Sequence, residues 1–112
     1  MTNGSNMHPV EIAFDKGYRV DREGIVHGIK VEVLSAPPGN KGYPRFSIHI
    51  GKKFKSVHVH RLQAYQKFGQ AMFQEGIQVR HLNGNKLDNS WNNIAIGTAS
   101  AAYQLGASRQ GQ

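Results

Sequence analysis

The chain has 112 residues, 14 Lys and Arg against seven Asp and Glu, a net charge of +7, and no cysteine. This length fits one domain, which we place at residues 1–112. The absence of cysteine excludes a disulfide scaffold and a structural zinc site built on thiolates. No apolar run is long enough for a membrane-spanning helix, and the N-terminus lacks the apolar core of a signal peptide. We therefore expect a cytoplasmic protein with no membrane partner.

The excess positive charge lies in one segment of the chain. Residues 33–74 contain seven basic residues and no acidic residue, whereas the rest of the chain has seven of each. A basic block inside a folded domain is typical of a surface that binds an anion, most often nucleic acid. The alternative is a solvated surface whose lysines serve solubility, but such surfaces usually mix both signs of charge. The seven bases are Lys41, Arg45, Lys52, Lys53, Lys55, Arg61 and Lys67.

The first half of the chain has the patterning of short strands. Residues 1–16 are weakly patterned, and we predict a loose lead-in there. Alternating hydrophobic and polar residues then predict strands near 18–20, 25–27, 29–34, 43–50 and 54–59, separated by glycine-rich turns. This order indicates an antiparallel β-meander in which Phe46 and Phe54 belong to the core.

From residue 60 the hydrophobic spacing becomes that of a helix. Leu62, Tyr65 and Phe68 predict two to three helical turns that end at Gly69. A short strand at 77–81, an irregular loop at 82–90 and a second short strand around 94–96 follow. A last helix is predicted at 99–105, and residues 106–112 form a tail. The predicted class is therefore α+β, with a meander, a helix, and a strand–loop–strand–helix unit.

One histidine, His81, ends a predicted strand and is followed by an asparagine-rich loop. A histidine in this position is rigidly held yet faces solvent, which suits a general base. Asn93 can fasten the loop, because its amide both donates and accepts hydrogen bonds. A loop carbonyl bonded to the second imidazole nitrogen would fix the tautomer. The spacing of His81 with Asn85, Asp88, Asn89 and Asn93 favours this function over that of an ordinary surface histidine.

This segment resembles the HNH endonucleases (His-Me finger, ββα-metal), in particular phage and intron-associated homing endonucleases. The matching residues are His81, the loop Asn83-Gly84-Asn85-Lys86-Leu87-Asp88-Asn89, and Asn93-Ile94. Four upstream segments are similar to the β-rich half of those enzymes: Tyr18-Arg19-Val20, Gly24-Ile25-Val26, Gly42-Tyr43 and Val59-His60-Arg61-Leu62. The resemblance covers residues 17–105 and implies a ββα-metal module within 60–105. It also implies a phage-encoded protein that acts in a bacterial host cell.

The resemblance implies a metal-dependent endonuclease that nicks or cuts double-stranded DNA. His81 would activate a water molecule, Asn93 would hold the loop, and one divalent cation, Mg²⁺ or Mn²⁺, would bind the scissile phosphate. In this family the residue before the histidine, often Asp, and an Asn or His on the last helix supply metal ligands. Here Arg80 and Ala102 occupy those positions, and neither side chain can bind a cation. We favour an introduced Ala102, which would trap an uncut DNA complex, over a naturally silent relative.

Two further hypotheses remain open beside the endonuclease. One is a non-catalytic DNA-binding protein that keeps the HNH fold, and the other is a small RNA-binding β-domain, which leaves the His–Asn loop unexplained. His58 and His60 have His-x-His spacing, but no third ligand lies near them in the sequence, so we expect no metal there. We expect residues 17–59 to form the DNA-contacting half, in a monomer or a homodimer. The residues expected to contact DNA are Arg45, Lys52, Lys53, Lys55, Arg61, Arg80 and Lys86.

Overall fold

The computed structural model describes residues 7–39 and 41–98. Its helices are α1 (Pro9–Lys16) and α2 (Val59–Phe68), and a 3₁₀ helix at Gly69–Phe73 follows α2. Neighbouring strands pair as three separate antiparallel two-stranded sheets. These pairs are β1 (Arg19–Val20) with β2 (Val26–His27), β3 (Arg45–Ile50) with β4 (Lys53–His58), and β5 (Ile77–His81) with β6 (Ile94–Thr98). The described residues therefore combine helices with small antiparallel sheets.

Helix α2 lies between two hydrophobic clusters and thereby positions β5 and β6. Leu62 is fully buried in a cluster formed with α1 and the first four strands. Ala64 packs instead with Met72 and with Ile94, the first residue of β6. Full burial of a leucine side chain stabilises a fold by about 1.5–3 kcal/mol. Helix α2 thus packs against the N-terminal hairpins on one side and against the β5–β6 pair, in which His81 is the last residue of β5, on the other.

The N-terminal segment is helical, so the prediction of a loose lead-in across residues 1–16 was wrong for Pro9–Lys16. Pro9 opens the helix, where its missing N–H costs no hydrogen bond. The Glu11 carboxylate accepts a 2.8 Å hydrogen bond from the backbone N–H of His8, and Gly17 ends the helix in the left-handed conformation at φ 109°. These are start and stop signals of a helix, and they were present in the sequence.

The predicted strand at residues 29–34 does not form, and the described N-terminal half is not one continuous meander. The chain turns at residues 28–31, where the Val31 N–H donates to the Gly28 carbonyl at 2.9 Å and Val31 has a φ of 59°. Only Val33 forms a bridge, with His27. Ile29, Val31 and Val33 are all mostly exposed, so their alternation marked no buried face.

Several local predictions are confirmed. Along β3, Phe46 and Ile48 are buried whereas Arg45 and its alternate neighbours are exposed. The helix ends at Gly69 as predicted, and the strand predicted at 77–81 has those bounds. Phe54 was placed wrongly, because its side chain is 66% exposed and its ring lies 4.0 Å from that of His49.

The structure leaves three predicted features untested. The last helix at 99–105, the tail at 106–112 and Ala102 lie outside the described residues. Within residues 7–39 and 41–98, no helix has the length and apolar character needed to cross a membrane.

Candidate active site

The imidazole of His81 is held by a hydrogen bond to the loop that follows it. His81 is the last residue of β5 and is half-buried. Its Nε2 lies 2.7 Å from Oδ1 of Asn89, whose side chain is buried. Because an amide oxygen only accepts hydrogen bonds, Nε2 carries the proton. The Nδ1 lone pair is therefore the acceptor of the neutral ring, which is the form that a general base requires.

Asn93 connects the two ends of the loop. Its Oδ1 accepts a 2.9 Å hydrogen bond from the Asn83 N–H, and its Nδ2 donates to Asn83 Oδ1 and to the Asp88 carbonyl. The side chain is only 8% exposed. These contacts have the geometry expected of an amide that fastens the loop. Any part of Asn93 in catalysis stays a prediction.

The carboxylate of Asp88 is fully engaged inside the loop. Its Oδ1 accepts hydrogen bonds from the N–H and hydroxyl of Ser90, and its Oδ2 accepts one from Asn83 Nδ2. The hydrogen bonds from Ser90 lower the pKa of Asp88, with a smaller contribution from Asn83. Asp88 therefore stays ionised at neutral pH and serves the shape of the loop.

A buried amide chain links helix α2 to the histidine. Gln63 is fully buried, and its Nε2 donates to the carbonyl oxygens of Asp21 and Asn89 at 2.9 and 3.0 Å. Gln66 in turn donates to Gln63 Oε1 at 3.0 Å. Gln63 thus fixes the backbone of the residue whose side chain orients His81. Gln63 was not predicted as part of the site, since a single glutamine on a helix gives no sign that it is buried.

The turn between β1 and β2 presses against the same loop. Gly24 has a φ of 91°, and a Cβ there would lie 2.7 Å from the Asn89 carbonyl carbon. The Trp91 N–H also donates to the Arg22 carbonyl at 3.0 Å. Only glycine permits this close approach. The β1–β2 turn therefore supports the loop from behind.

The predicted DNA-contacting residues fall into three places. Arg80 and Lys86 line a cavity of about 230 Å³ together with His81 and Tyr43. Arg45 and Arg61 line a larger groove that also reaches Tyr43. Lys52, Lys53 and Lys55 are exposed at and beyond the β3–β4 turn and line neither cavity. The seven basic residues of the sequence prediction thus divide among the surroundings of His81, the larger groove and a separate hairpin tip.

His60 is the neighbour of His81 that the sequence left unassigned. The two rings lie 5.3 Å apart, and the His60 and His58 rings 5.4 Å apart. Burial lowers the pKa of His60 to about 3, and the nearby charges of His81, His58 and Arg61 add to the shift. Nδ1 of His60 is buried without a hydrogen-bond partner. His60 is therefore neutral at physiological pH.

The low pKa of His60 is expected to make the protein less stable in mild acid. Between about pH 6.5 and 3 the unfolded chain binds a proton at His60 that the folded chain does not. The free energy of unfolding therefore falls as the pH falls through this window, by up to about 1.4 kcal/mol per pH unit. Urea unfolding at pH 7, 6, 5 and 4 should show a shallower fall for His60→Gln than for the wild type. Parallel curves would contradict the buried neutral ring.

Comparison with known proteins shows what this site is similar to. Residues 57–103 match the family model of the HNH endonucleases. A comparison with curated proteins found no match. The matched segment is therefore similar to the HNH endonucleases, and the chain resembles one of the homing type.

A solved structure, described as "DNA binding and cleavage by the HNH homing endonuclease I-HmuI", is similar at 32% sequence identity and a TM-score of 0.64. The match covers 78% of this chain and 49% of the other. The chain thus spans about half the length of the protein it matches. DNA binding and cleavage are properties of I-HmuI.

The described side chains do not fit a metal ion. HNH endonucleases generally use a divalent metal. Among residues 7–39 and 41–98, no group of three His, Cys, Asp or Glu side chains could hold one. Asp88 is committed to Ser90 and Asn83, and Arg80 stands directly before His81. The described residues around His81 therefore include no set of three such ligands.

Proposed function

We propose that the chain is an HNH-type DNA endonuclease module whose general base is in place and whose metal-ligand positions are substituted. The observation that supports this most directly is the 2.7 Å contact between His81 Nε2 and Asn89 Oδ1. It sets the tautomer, so that the lone pair of Nδ1 is the one available to accept a proton. The family match over residues 57–103 supports the reaction class.

In this proposal His81 removes the proton from a water molecule as the water attacks a DNA phosphorus atom. A new P–O bond forms to the water oxygen, and the P–O3′ bond breaks. The chain's own contribution is to hold the base still: Asn89 orients the ring, and Gln63 holds Asn89. A general base placed in this way contributes about 10²- to 10⁴-fold to a rate.

Double-stranded DNA is the proposed partner, bound by a monomer or a homodimer. The net charge of +7 favours binding of a polyanion, and basic side chains line both cavities beside Tyr43. We place most of the DNA contact in residues 17–59 and the chemistry in 60–105. The exposed hairpin tip with Lys52, Lys53 and Lys55 supports a contact with the phosphate backbone.

A non-catalytic DNA-binding protein is the second candidate. Arg80 precedes His81, Ala102 stands at the second expected ligand position, and the described residues offer no metal-binding group. These substitutions leave the other basic residues and the folded loop intact. Such a protein would bind DNA without cutting it.

A plasmid-nicking assay separates the two candidates. With Mg²⁺ or Mn²⁺, the double variant R80D/A102N is expected to convert supercoiled plasmid to the open-circular or linear form, because it restores a carboxylate and an amide at the expected ligand positions. The wild type should leave the plasmid supercoiled. The single variant A102N shows whether the second position suffices.

Binding to a labelled duplex, measured in the same samples, completes the test. If R80D/A102N binds the duplex and yet leaves plasmids of many sequences supercoiled, the endonuclease proposal fails and the DNA-binding candidate stands. If neither form binds the duplex at low salt, both candidates fail. Nicking by R80D/A102N but not by the wild type supports the substituted endonuclease.

A further inference from the structure

A groove with a volume of about 630 Å³ lies next to the His81 site. Its walls come from the segment before β3, from the end of β4 and from the first residues of α2. We call it the basic groove, because Lys41, Arg45 and Arg61 line it and no carboxylate does. The basic groove therefore concentrates positive charge that the protein does not neutralise locally.

Arg61 is the most telling of these bases. Its guanidinium is half-buried and lies 6.0 Å from the centre of the Phe73 ring. Among the described residues, the one ion pair within 4.0 Å joins His27 and Asp21, far from this arginine in the sequence. Buried charges are usually paired. An external anion in the groove would supply the missing partner.

The polar groups of the groove also suit an anion. Arg45 Nη1 donates to Ser56 Oγ at 3.2 Å, which holds the guanidinium at the groove wall. Burial lowers the pKa of His58, and the charges of Arg61 and Arg45 lower it further. Burial is thus the main reason that the pKa values of the groove histidines are lowered, and the positive charge around them adds to the shift.

The basic groove opens beside the proposed general base. Tyr43 lines both the groove and the cavity of His81, and its ring lies 4.8 Å from His60 and 5.9 Å from His81. The Lys86 ammonium lies 4.9 Å from the centre of the Tyr43 ring, and it donates to the Lys41 carbonyl at 2.9 Å. A strand whose phosphate faces His81 would therefore pass directly by the groove.

We propose that the basic groove binds a backbone phosphate of the DNA, neighbouring the phosphodiester that faces His81. Arg45 and Arg61 pair with the phosphate oxygens, Lys41 adds charge at the rim, and Tyr43 separates this phosphate from the reacting one. The groove thereby sets the register of the strand at the active site. This inference rests on the proposed DNA-binding function.

Two charge-matched double variants test the groove. K41A/R45A removes two basic residues of the groove. K16A/K30A removes two exposed lysines that do not line it and are not among the seven residues expected to contact DNA. Binding to a 20-base-pair duplex is measured by fluorescence anisotropy across a salt series. K41A/R45A should bind about tenfold more weakly or worse, and its slope of log K against log salt should be smaller by about 0.9 for each lost phosphate contact. K16A/K30A should stay within about threefold of the wild type.

Equal losses of duplex affinity in the two double variants would mean that only the net charge of the protein matters. That result would overturn the proposal that the basic groove binds a phosphate. Wild-type affinity in K41A/R45A would overturn it as well. The failure of the endonuclease proposal looks different: R80D/A102N would bind the duplex through the groove and leave plasmid intact. Cleavage by R80D/A102N with undiminished binding by K41A/R45A would keep the endonuclease and discard the groove.

NMR titration of the His58 ring supplies a second measurement. A phosphate seated in the groove should raise the pKa of His58 when the duplex is added, because it neutralises Arg61 and Arg45. Inorganic phosphate alone serves as the comparison. A rise with inorganic phosphate but none with the duplex would assign the groove to a free anion and overturn the DNA contact.

Discussion

The His81→Ala substitution is expected to lower plasmid cleavage by the R80D/A102N form about 10²- to 10⁴-fold. The reason is geometric: His81 ends β5, and its Nε2–H is held by Asn89 Oδ1 at 2.7 Å, which presents Nδ1 as the base. Single-turnover cleavage of a supercoiled plasmid measures the loss. Duplex binding should change little, since the substitution leaves the exposed Lys52, Lys53 and Lys55 and the groove residues Arg45 and Arg61 in place.

Asn89→Asp provides the matched control for this argument. A carboxylate opposite Nε2 would stabilise the protonated ring and raise the pKa of His81. The pH at which cleavage by the R80D/A102N form rises should therefore move upward, while the overall fold should be unchanged. Full activity after His81→Ala would place the base elsewhere, and His60 would be the next residue to replace.

The parts of the fold that the sequence predicted correctly are those determined by local pattern. The β3–β4 hairpin alternates cleanly around Phe46 and Ile48, and α2 repeats its apolar residues until Gly69. The stretch at 29–34 has the same alternation, yet it fails as a strand. The side chains of Ile29, Val31 and Val33 are exposed, and the turn at Val31 interrupts the stretch. Alternation predicts a strand only where one face is covered.

The candidate site was predictable to a similar extent. The spacing of His81 and Asn93 pointed to a base and a loop fastener, and the hydrogen bonds of Asn93 have the expected form. The contact that orients His81 comes from the Asn89 side chain, and the support behind it comes from Gln63 on α2. Neither follows from local sequence, because each depends on how α2 packs against the loop.

The structure also shows where the basic residues lie relative to His81, which their number and order in the sequence do not show. In the sequence, the excess of bases at residues 33–74 precedes the His81 loop and suggests DNA contact at a distance from the chemistry. In the structure, the segment with Lys41 and Tyr43 folds back to Lys86, with the Lys86 ammonium on the Lys41 carbonyl. The basic groove and the cavity beside His81 therefore adjoin at Tyr43. The division into a contacting half and a catalytic half stays a prediction.

Asn93→Ala should destabilise the protein by about 2–4 kcal/mol, as expected when buried polar groups lose their partners. The substitution leaves the Asn83 N–H and the Asp88 carbonyl without the side chain that satisfies them. It also releases the loop that carries Asn89, so His81 loses its fixed orientation. Urea unfolding at pH 7 measures the stability.

Asn85→Ala is the control, because it removes the same side chain from the same loop at an exposed position. Asn85 Oδ1 accepts one hydrogen bond, from the Leu87 N–H at 3.0 Å, so its loss should cost less than about 1 kcal/mol. In the R80D/A102N form, Asn93→Ala should also slow cleavage while Asn85→Ala does not. Equal stability losses in the two variants would show that the loop is held by its backbone turns, and the fastening function of Asn93 would fall.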